Sequence, residues 1–240
     1  MTSNAVMNTT EIKPEFDSYA KNYDQALQQG LSVSGEAKEY FAEGRVALLQ
    51  KCLRKLKYQP QRVLDFGCGT GTSVPILHAI PGVTFAQGID LSAESISQAE
   101  KMHGHDNRRF YALADYQPDG SFDLVFCNGV FHHIPLDQRA KAIETVYQSL
   151  KPGGIFALWE NNPWNPATRY VMSRIPFDKD AITLTPPESR MITQAGGFTI
   201  LRTDFLFIFP RLLKWFRPLE QLVSSWPVGT QYQILCRKPT

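Results

Sequence analysis

Apolar positions along the chain switch between two spacings, and the switches mark the elements. Between Ala37 and Leu56 apolar residues fall at 41, 48, 49, 52, 53 and 56, the spacing of one helical face. Short apolar runs follow, each closed by a turn signal: RVLDFG (62–67), VTFAQGID (83–90), RRFYALAD (108–115), FDLVFCNG (122–129) and GIFALWE (154–160). These read as buried strands with helical segments between several of them. Ser92 is placed to cap a helix over 93–103, and Asp137 one over about 138–150, whose end LKPGG (150–154) marks. Strand–helix alternation predicts a parallel sheet with helices on both faces.

The last third has a different texture. Thr185, Pro186, Pro187 and Glu188 make a capping box with proline at the first helical position, and the helix they start runs to Gly196–Gly197. FTILRTDFLFIF (198–209) and QYQILCRK (231–238) read as a final pair of strands with a helix in their connection. That connection, 210–226, interleaves Leu212, Leu213, Trp215, Phe216, Leu219, Leu222, Val223 and Trp226 with Arg211, Lys214 and Arg217. It reads as a lid or homodimer helix, as a wall of an acceptor pocket, or as a membrane-surface contact, the last weakened by Pro218. The expected organisation is a flexible stretch over 1–14 and one domain over 15–240. Within it, cap helices occupy 15–60, a ligand-binding core 61–160, and an acceptor-side connection with the C-terminal strands 161–240.

The most informative run is VLDFGCGTG (63–71). Glycines at 67, 69 and 71 let the chain turn sharply and a ligand lie against the backbone. A dinucleotide fingerprint requires glycine at 72, where this chain has Thr72, and no phosphate loop ending in Gly-Lys-Ser/Thr exists. Asp65 stands inside the turn, where it would repel a diphosphate and accept from an ammonium. Asp90 closes the second strand, placed to accept from both hydroxyls of a ribose. Asp115 closes the third, placed to accept from an adenine amino group, with Tyr116 beside the ring. Ammonium, ribose and adenine in that order describe S-adenosylmethionine.

Here the chain resembles the class I S-adenosylmethionine-dependent methyltransferases, through FDSYAKNYD (16–24), VLDFGCGTG, GIDLS (88–92), LADY (113–116), FDLVFCNGVFHHI (122–134) and LKPGG. The resemblance covers about 16–160 and weakens beyond. It implies a Rossmann-like α/β fold: a mostly parallel seven-stranded sheet, last strand antiparallel, helices on both faces, and an N-terminal helical cap. It implies transfer of a methyl group to a small molecule, free or linked to lipid or sugar, leaving S-adenosylhomocysteine. A non-catalytic cofactor-binding partner subunit is the rival. Cofactor contacts are expected from Tyr19, Asp65, Gly67, Cys68, Gly69, Gly71, Asp90, Leu91, Ala114, Asp115, Tyr116, Asn128 and Gly129. Gly71 has helix packing as its competing role.

Catalytic candidates are His133, Glu160 and Tyr23. Of the consecutive His132 and His133, one should point inward, and a neutral imidazole near the acceptor could take its proton. Glu160 ends a strand at the same rim, with capping of a neighbouring turn as the competing role. Tyr19 and Tyr23, four apart, share one helix face. Arg169 and Arg174 could bind an anionic acceptor but read more simply as solvated charges.

Composition narrows the partners. A net charge of +2 gives no reason to expect nucleic acid. Cys52, Cys68, Cys127 and Cys236 are widely spaced, as buried thiols of a reducing compartment rather than a metal site or disulfide framework. No signal peptide or membrane-spanning run is visible, so a cytoplasmic protein is expected.

Overall fold

The computed structural model describes residues 34–178 and 181–240. Helix α1 (Lys38–Lys55) precedes β1 (Arg62–Phe66), α2 (Ser73–His78), β2 (Phe85–Asp90), α3 (Ala93–His103), β3 (Arg108–Ala112) and β4 (Phe122–Asn128). Then come α4 (Arg139–Ser149), β5 (Leu150–Asn161), α5 (Pro166–Met172), α6 (Pro186–Ala195), β6 (Thr199–Leu206) and β7 (Gln231–Arg237). Short 3₁₀ turns occupy Leu113–Asp115, Phe131–His133, Pro176–Asp178 and Arg211–Gln221.

The sheet order is β3-β2-β1-β4-β5-β7-β6. Strands β1 to β5 pair in parallel, and β7 runs antiparallel to both neighbours, as the family resemblance implies. The central strands β1, β4 and β5 are largely apolar and buried because both faces are covered, whereas the outer strands β3 and β6 carry polar, partly exposed positions. Alternate residues serve opposite layers. Leu64, Phe156, Leu158 and Ile234 pack with Ala142, Ile143 and Val146 of α4. Val63, Ile155, Ala157, Trp159 and Leu235 pack with Val46, Leu49 and Leu53 of α1 and Leu77 of α2.

The order reverses between β1 and β4, so the carboxyl ends of these strands open a crevice there. Side chains cap three of the described helices, Asn165 among them through Oδ1, which accepts from Ala167 N and Thr168 N at the start of α5. Ser92 Oγ accepts from Ser95 N, and Thr185 and Glu188 form the reciprocal box. Three expectations are corrected. Helix α4 begins at Arg139 after Gln138 with no side-chain cap, so Asp137 does not cap it. LKPGG does mark the end of α4 at Ser149, but β5 starts at Leu150 and not at Gly154, because pairing with β4 already begins there. The 211–221 segment is a chain of 3₁₀ turns with a non-helical Leu213, not an α-helix, and Pro218 removes a donor within it. Among the described residues no helix is long and apolar enough to cross a membrane.

Candidate functional site

Two cavities open at the crevice. The smaller, about 210 Å³, is walled by the glycine turn, the ends of β1, β2 and β4, and α1. The larger, about 360 Å³, lies between α1, α5, the 176–178 turn and the segment after β6. They share Lys38, Arg45, Asn128, Gly129 and His133.

The three glycines of the turn have different duties. Gly67 sits at φ +76°, and a Cβ there would lie 2.3 Å from Val130 Cγ2. Gly71, at φ +81°, is pressed by Phe110 and Ala99, so its constraint is packing of the turn against β3 and α3. Gly69, at φ +53°, has nothing within 4 Å of the place a Cβ would occupy and faces the smaller cavity. The turn is pinned by Gly67 N and Cys68 N donating to Ile89 O. Asp90 completes the clamp: Oδ2 accepts from Gly69 N at 2.8 Å and Oδ1 from Ser92 N at 2.9 Å. Asp65 is buried, and burial together with the nearby Asp90 charge raises its carboxyl to about 8, which Arg45 only partly offsets. Cys68 lines the cavity with its thiol pushed well up by burial and by Asp90 and Asp65, an unreactive neutral group.

Asp65, Gly67, Cys68, Gly69, Asp90, Leu91, Asn128 and Gly129 therefore stand together around the smaller cavity. The residues fit S-adenosylmethionine: Gly69 leaves open space against the backbone, and buried Asp65 lacks a fully compensating cation, which an ammonium would supply. Leu113, not Ala114 or Asp115, lines the wall after β3, because the 3₁₀ turn directs Ala114 and Asp115 to solvent. The Tyr116 hydroxyl donates to Ser149 Oγ at 2.8 Å and the ring packs on the core, which raises the phenol to about 12 chiefly by burial. Tyr19 and Tyr23 lie outside the described residues.

Glu160 takes the turn-capping role that competed with catalysis. Parity along β5 turns it away from Trp159's layer and under the 131–133 turn. There, buried, it accepts from Phe131 N at 2.8 Å and pairs with His132 Nδ1 at 2.6 Å. The opposite ring nitrogen of His132 lies 3.5 Å from Asp178 Oδ1. Burial alone would lower His132, but the Glu160 and Asp178 carboxylates override it and hold the imidazole at about 10. It is thus a buried imidazolium between two carboxylates. His133 Nε2 lies 3.3 Å from the same Asp178 oxygen, and its ring reaches both cavities. Burial, aided by the adjacent His132 charge, lowers His133 and keeps it neutral, while Asp178 opposes this. Asp178 is itself lowered, since hydrogen bonds from both imidazoles outweigh its burial.

Sequence reasoning missed Asp178, which sits in RIPFDKD with no motif around it. It also missed Lys38, Ala42 and Arg45. Their i, i+4, i+7 spacing was a usable signal of a shared helix face. Arg169 and Arg174 are exposed and line neither cavity, and Arg174 stacks on Tyr170.

Residues 64–156 match the family described as methyltransferase domain. A trans-aconitate 2-methyltransferase of Rhodopseudomonas palustris is 31% identical over 121 residues, which cover 50% of this chain and 46% of that protein. A malonyl-[acyl-carrier protein] O-methyltransferase of Legionella pneumophila is 30% identical over 126 residues, covering 51% and 40%. The matched region is thus about half of this chain and less than half of each of these relatives. Among solved structures, one chain comes from the complex of the Haloferax volcanii Trm112 methyltransferase activator with a methyltransferase. It superposes with TM-score 0.64 at 18% identity, covering 96% of this chain and 98% of that one. A Thermotoga maritima chain gives the same score and identity, covering 95% and 100%. At such identity these two establish the fold.

Proposed function

We propose that this chain, whose residues 64–156 match a methyltransferase domain, is a class I S-adenosylmethionine-dependent methyltransferase in which the smaller cavity seats the methyl donor and the larger seats a small-molecule acceptor. One observation carries this reading: the two chambers meet at a rim of shared residues, and that rim includes Gly129 and the one histidine of the pair that reaches both. When bound, S-adenosylmethionine supplies a methyl group already activated on a sulfonium. The protein's own work is then to align the acceptor, exclude water and manage a proton.

Each part has a residue. Asp65 receives the ammonium of the donor, Asp90 the ribose, and Gly69 gives backbone access. His133, neutral, takes the proton of an acceptor hydroxyl. Asp178 orients the His133 ring, and the buried His132–Glu160 pair fixes the position of the turn that carries both histidines. The walls of the larger cavity are mainly apolar, with Phe41, Met172, Ile175, Phe177, Phe207 and Phe209 among them. They suit an acceptor with a substantial apolar body presenting one oxygen to the rim.

A second reading has its own observation. Lys38 and Arg45 reach both cavities, which favours an acceptor carboxylate, the group that needs no base. The named relatives act on trans-aconitate and on a malonyl group carried by acyl-carrier protein. A cytoplasmic location suits the four free thiols.

The test has two steps. Titration with S-adenosylhomocysteine should show saturable heat, and titration with NAD(H) none; the reverse pattern overturns the reading. Turnover of labelled donor on a panel of hydroxyl and carboxylate acceptors then separates the two acceptor classes. Binding without turnover across the panel favours the non-catalytic partner subunit.

A further inference from the structure

The 211–226 segment is built to hold apolar side chains outward. Its inward face is fully employed. Glu220, buried, accepts from Ile208 N at 3.1 Å and Phe209 N at 2.9 Å. Arg217 bonds Glu36 at 2.8 Å, donates to Phe209 O and stacks over Tyr40. Phe205 N donates to Ser224 O at 2.7 Å. On this anchored frame Leu212 is 86% exposed, Trp215 79%, Leu222 78% and Trp226 62%. A loose loop would fold such residues back onto the core. Here the hydrogen bonds below prevent it, so the exposure belongs to the fold.

The charge on this surface has one sign. The segment has a single acid, Glu220, and that acid is turned inward, while Arg211 and Lys214 stand exposed among the aromatic residues. Tryptophan and leucine side by side with lysine and arginine, with no outward carboxylate, complement an anionic bilayer surface. The patch is also continuous with the larger cavity: Phe216 packs on Phe209 at 5.7 Å between centroids, and Phe209, Pro210 and Arg217 line that cavity.

We infer that residues 211–226 form a docking surface for anionic lipid membranes, placed at the mouth of the larger cavity. Docking is peripheral, through side chains entering the headgroup layer, since the segment is short and made of 3₁₀ turns. If the larger cavity is the acceptor chamber, which rests on the function proposed above, docking lets an amphiphilic acceptor enter from the bilayer without crossing water.

Co-sedimentation of the full chain with phosphatidylcholine vesicles, with and without phosphatidylglycerol, tests the surface itself and needs no turnover. The chain should pellet with the anionic vesicles, release on added salt, and show a blue shift of tryptophan fluorescence. The Leu212→Ser/Trp215→Ser variant should lose vesicle affinity by about tenfold or more. Lys214→Gln should lose it about fivefold, and only for anionic vesicles. Both variants should keep the parent's S-adenosylhomocysteine affinity, which shows that they fold. No pelleting by the parent chain, or equal pelleting by the double variant, overturns the inference. So does a parent that is dimeric by light scattering, becomes monomeric in the double variant, and ignores vesicles, because a second copy then covers the patch. Failure to bind S-adenosylhomocysteine would overturn the donor site and leave the vesicle result standing.

Discussion

Replacing Asp65 by asparagine should strengthen the fold and weaken the site at once. Asp65 is buried at the end of β1, and its carboxyl is raised from 3.8 to about 8 by burial and by the charge of Asp90. An acid with a raised folded-state pKa is no burden below its unfolded value near 3.8. Its cost then grows with pH and levels off above about 8. Near pH 7 roughly three units of the shift are expressed, on the order of 4 kcal/mol. Asp65→Asn removes that cost and adds the smaller one of a buried amide. Urea unfolding should therefore show the variant more stable by about 2–4 kcal/mol near pH 7, with the gain vanishing toward pH 4.

The same residue couples binding to protons. Near pH 7 the ligand-free carboxyl is mostly protonated, and a cationic ammonium favours the carboxylate. S-adenosylhomocysteine should thus release close to one proton on binding, seen as a difference in calorimetric heat between phosphate and Tris buffers. In Asp65→Asn the difference should disappear and affinity fall about 10–100-fold. A stability gap that stays flat from about pH 5 to pH 9, or binding heats independent of buffer in the parent protein, would refute the reasoning.

Three further outcomes are expected. His133→Gln should lower kcat on a hydroxyl acceptor by about 10²-fold or more, with S-adenosylhomocysteine affinity unchanged, and unchanged kcat would remove His133 as proton acceptor. Gly69→Ala should cost only about 1–2 kcal/mol for its φ yet sharply weaken ligand affinity, whereas Gly71→Ala should destabilise the fold through Phe110 and Ala99; thermal melts paired with titrations separate them. His132, held at about 10, supplies stability that is fully present below its unfolded value near 6.5 and lost as pH rises through 10. Glu160→Gln should flatten that alkaline decline and destabilise by about 3–5 kcal/mol, and melts from about pH 6 to pH 10 read it.

The donor half was legible because its constraints are local. Gly67, Gly69 and Gly71 take positive φ within six residues of Asp65, and backbone geometry of that kind leaves a written trace. Asp90 sits at a strand end, where parity and capping fix its direction. The adenine end read less well, because Leu113–Asp115 wind into a 3₁₀ turn that moves the lining position from Asp115 to Leu113. Glu160 was legible only as two alternatives: strand alternation fixes the side it faces, but the choice of the capping role rests on the 131–133 turn and on His132, 28 residues away. Asp178 left no trace at all, since a lone aspartate in an irregular connection gains its meaning only when the chain returns it to both histidines.

The antiparallel insertion of β7 between β5 and β6 sets an order of assembly. Among the described residues the lining of the smaller cavity falls between Lys38 and Gln138, and its 129–133 wall is held by Trp159 O and Glu160, so the chamber is complete once the chain has emerged through β5. The larger cavity needs Phe207 to Pro210, Arg217, Thr230 and Gln231 as well. Among the described strands β6 pairs with β7 alone, so it has no strand partner until β7 emerges. A nascent chain therefore passes through a stage with a finished donor chamber beside an open sheet edge at β5. Ligand captured at that stage would brace the half already built, and the last seven-residue strand would close the acceptor side over it.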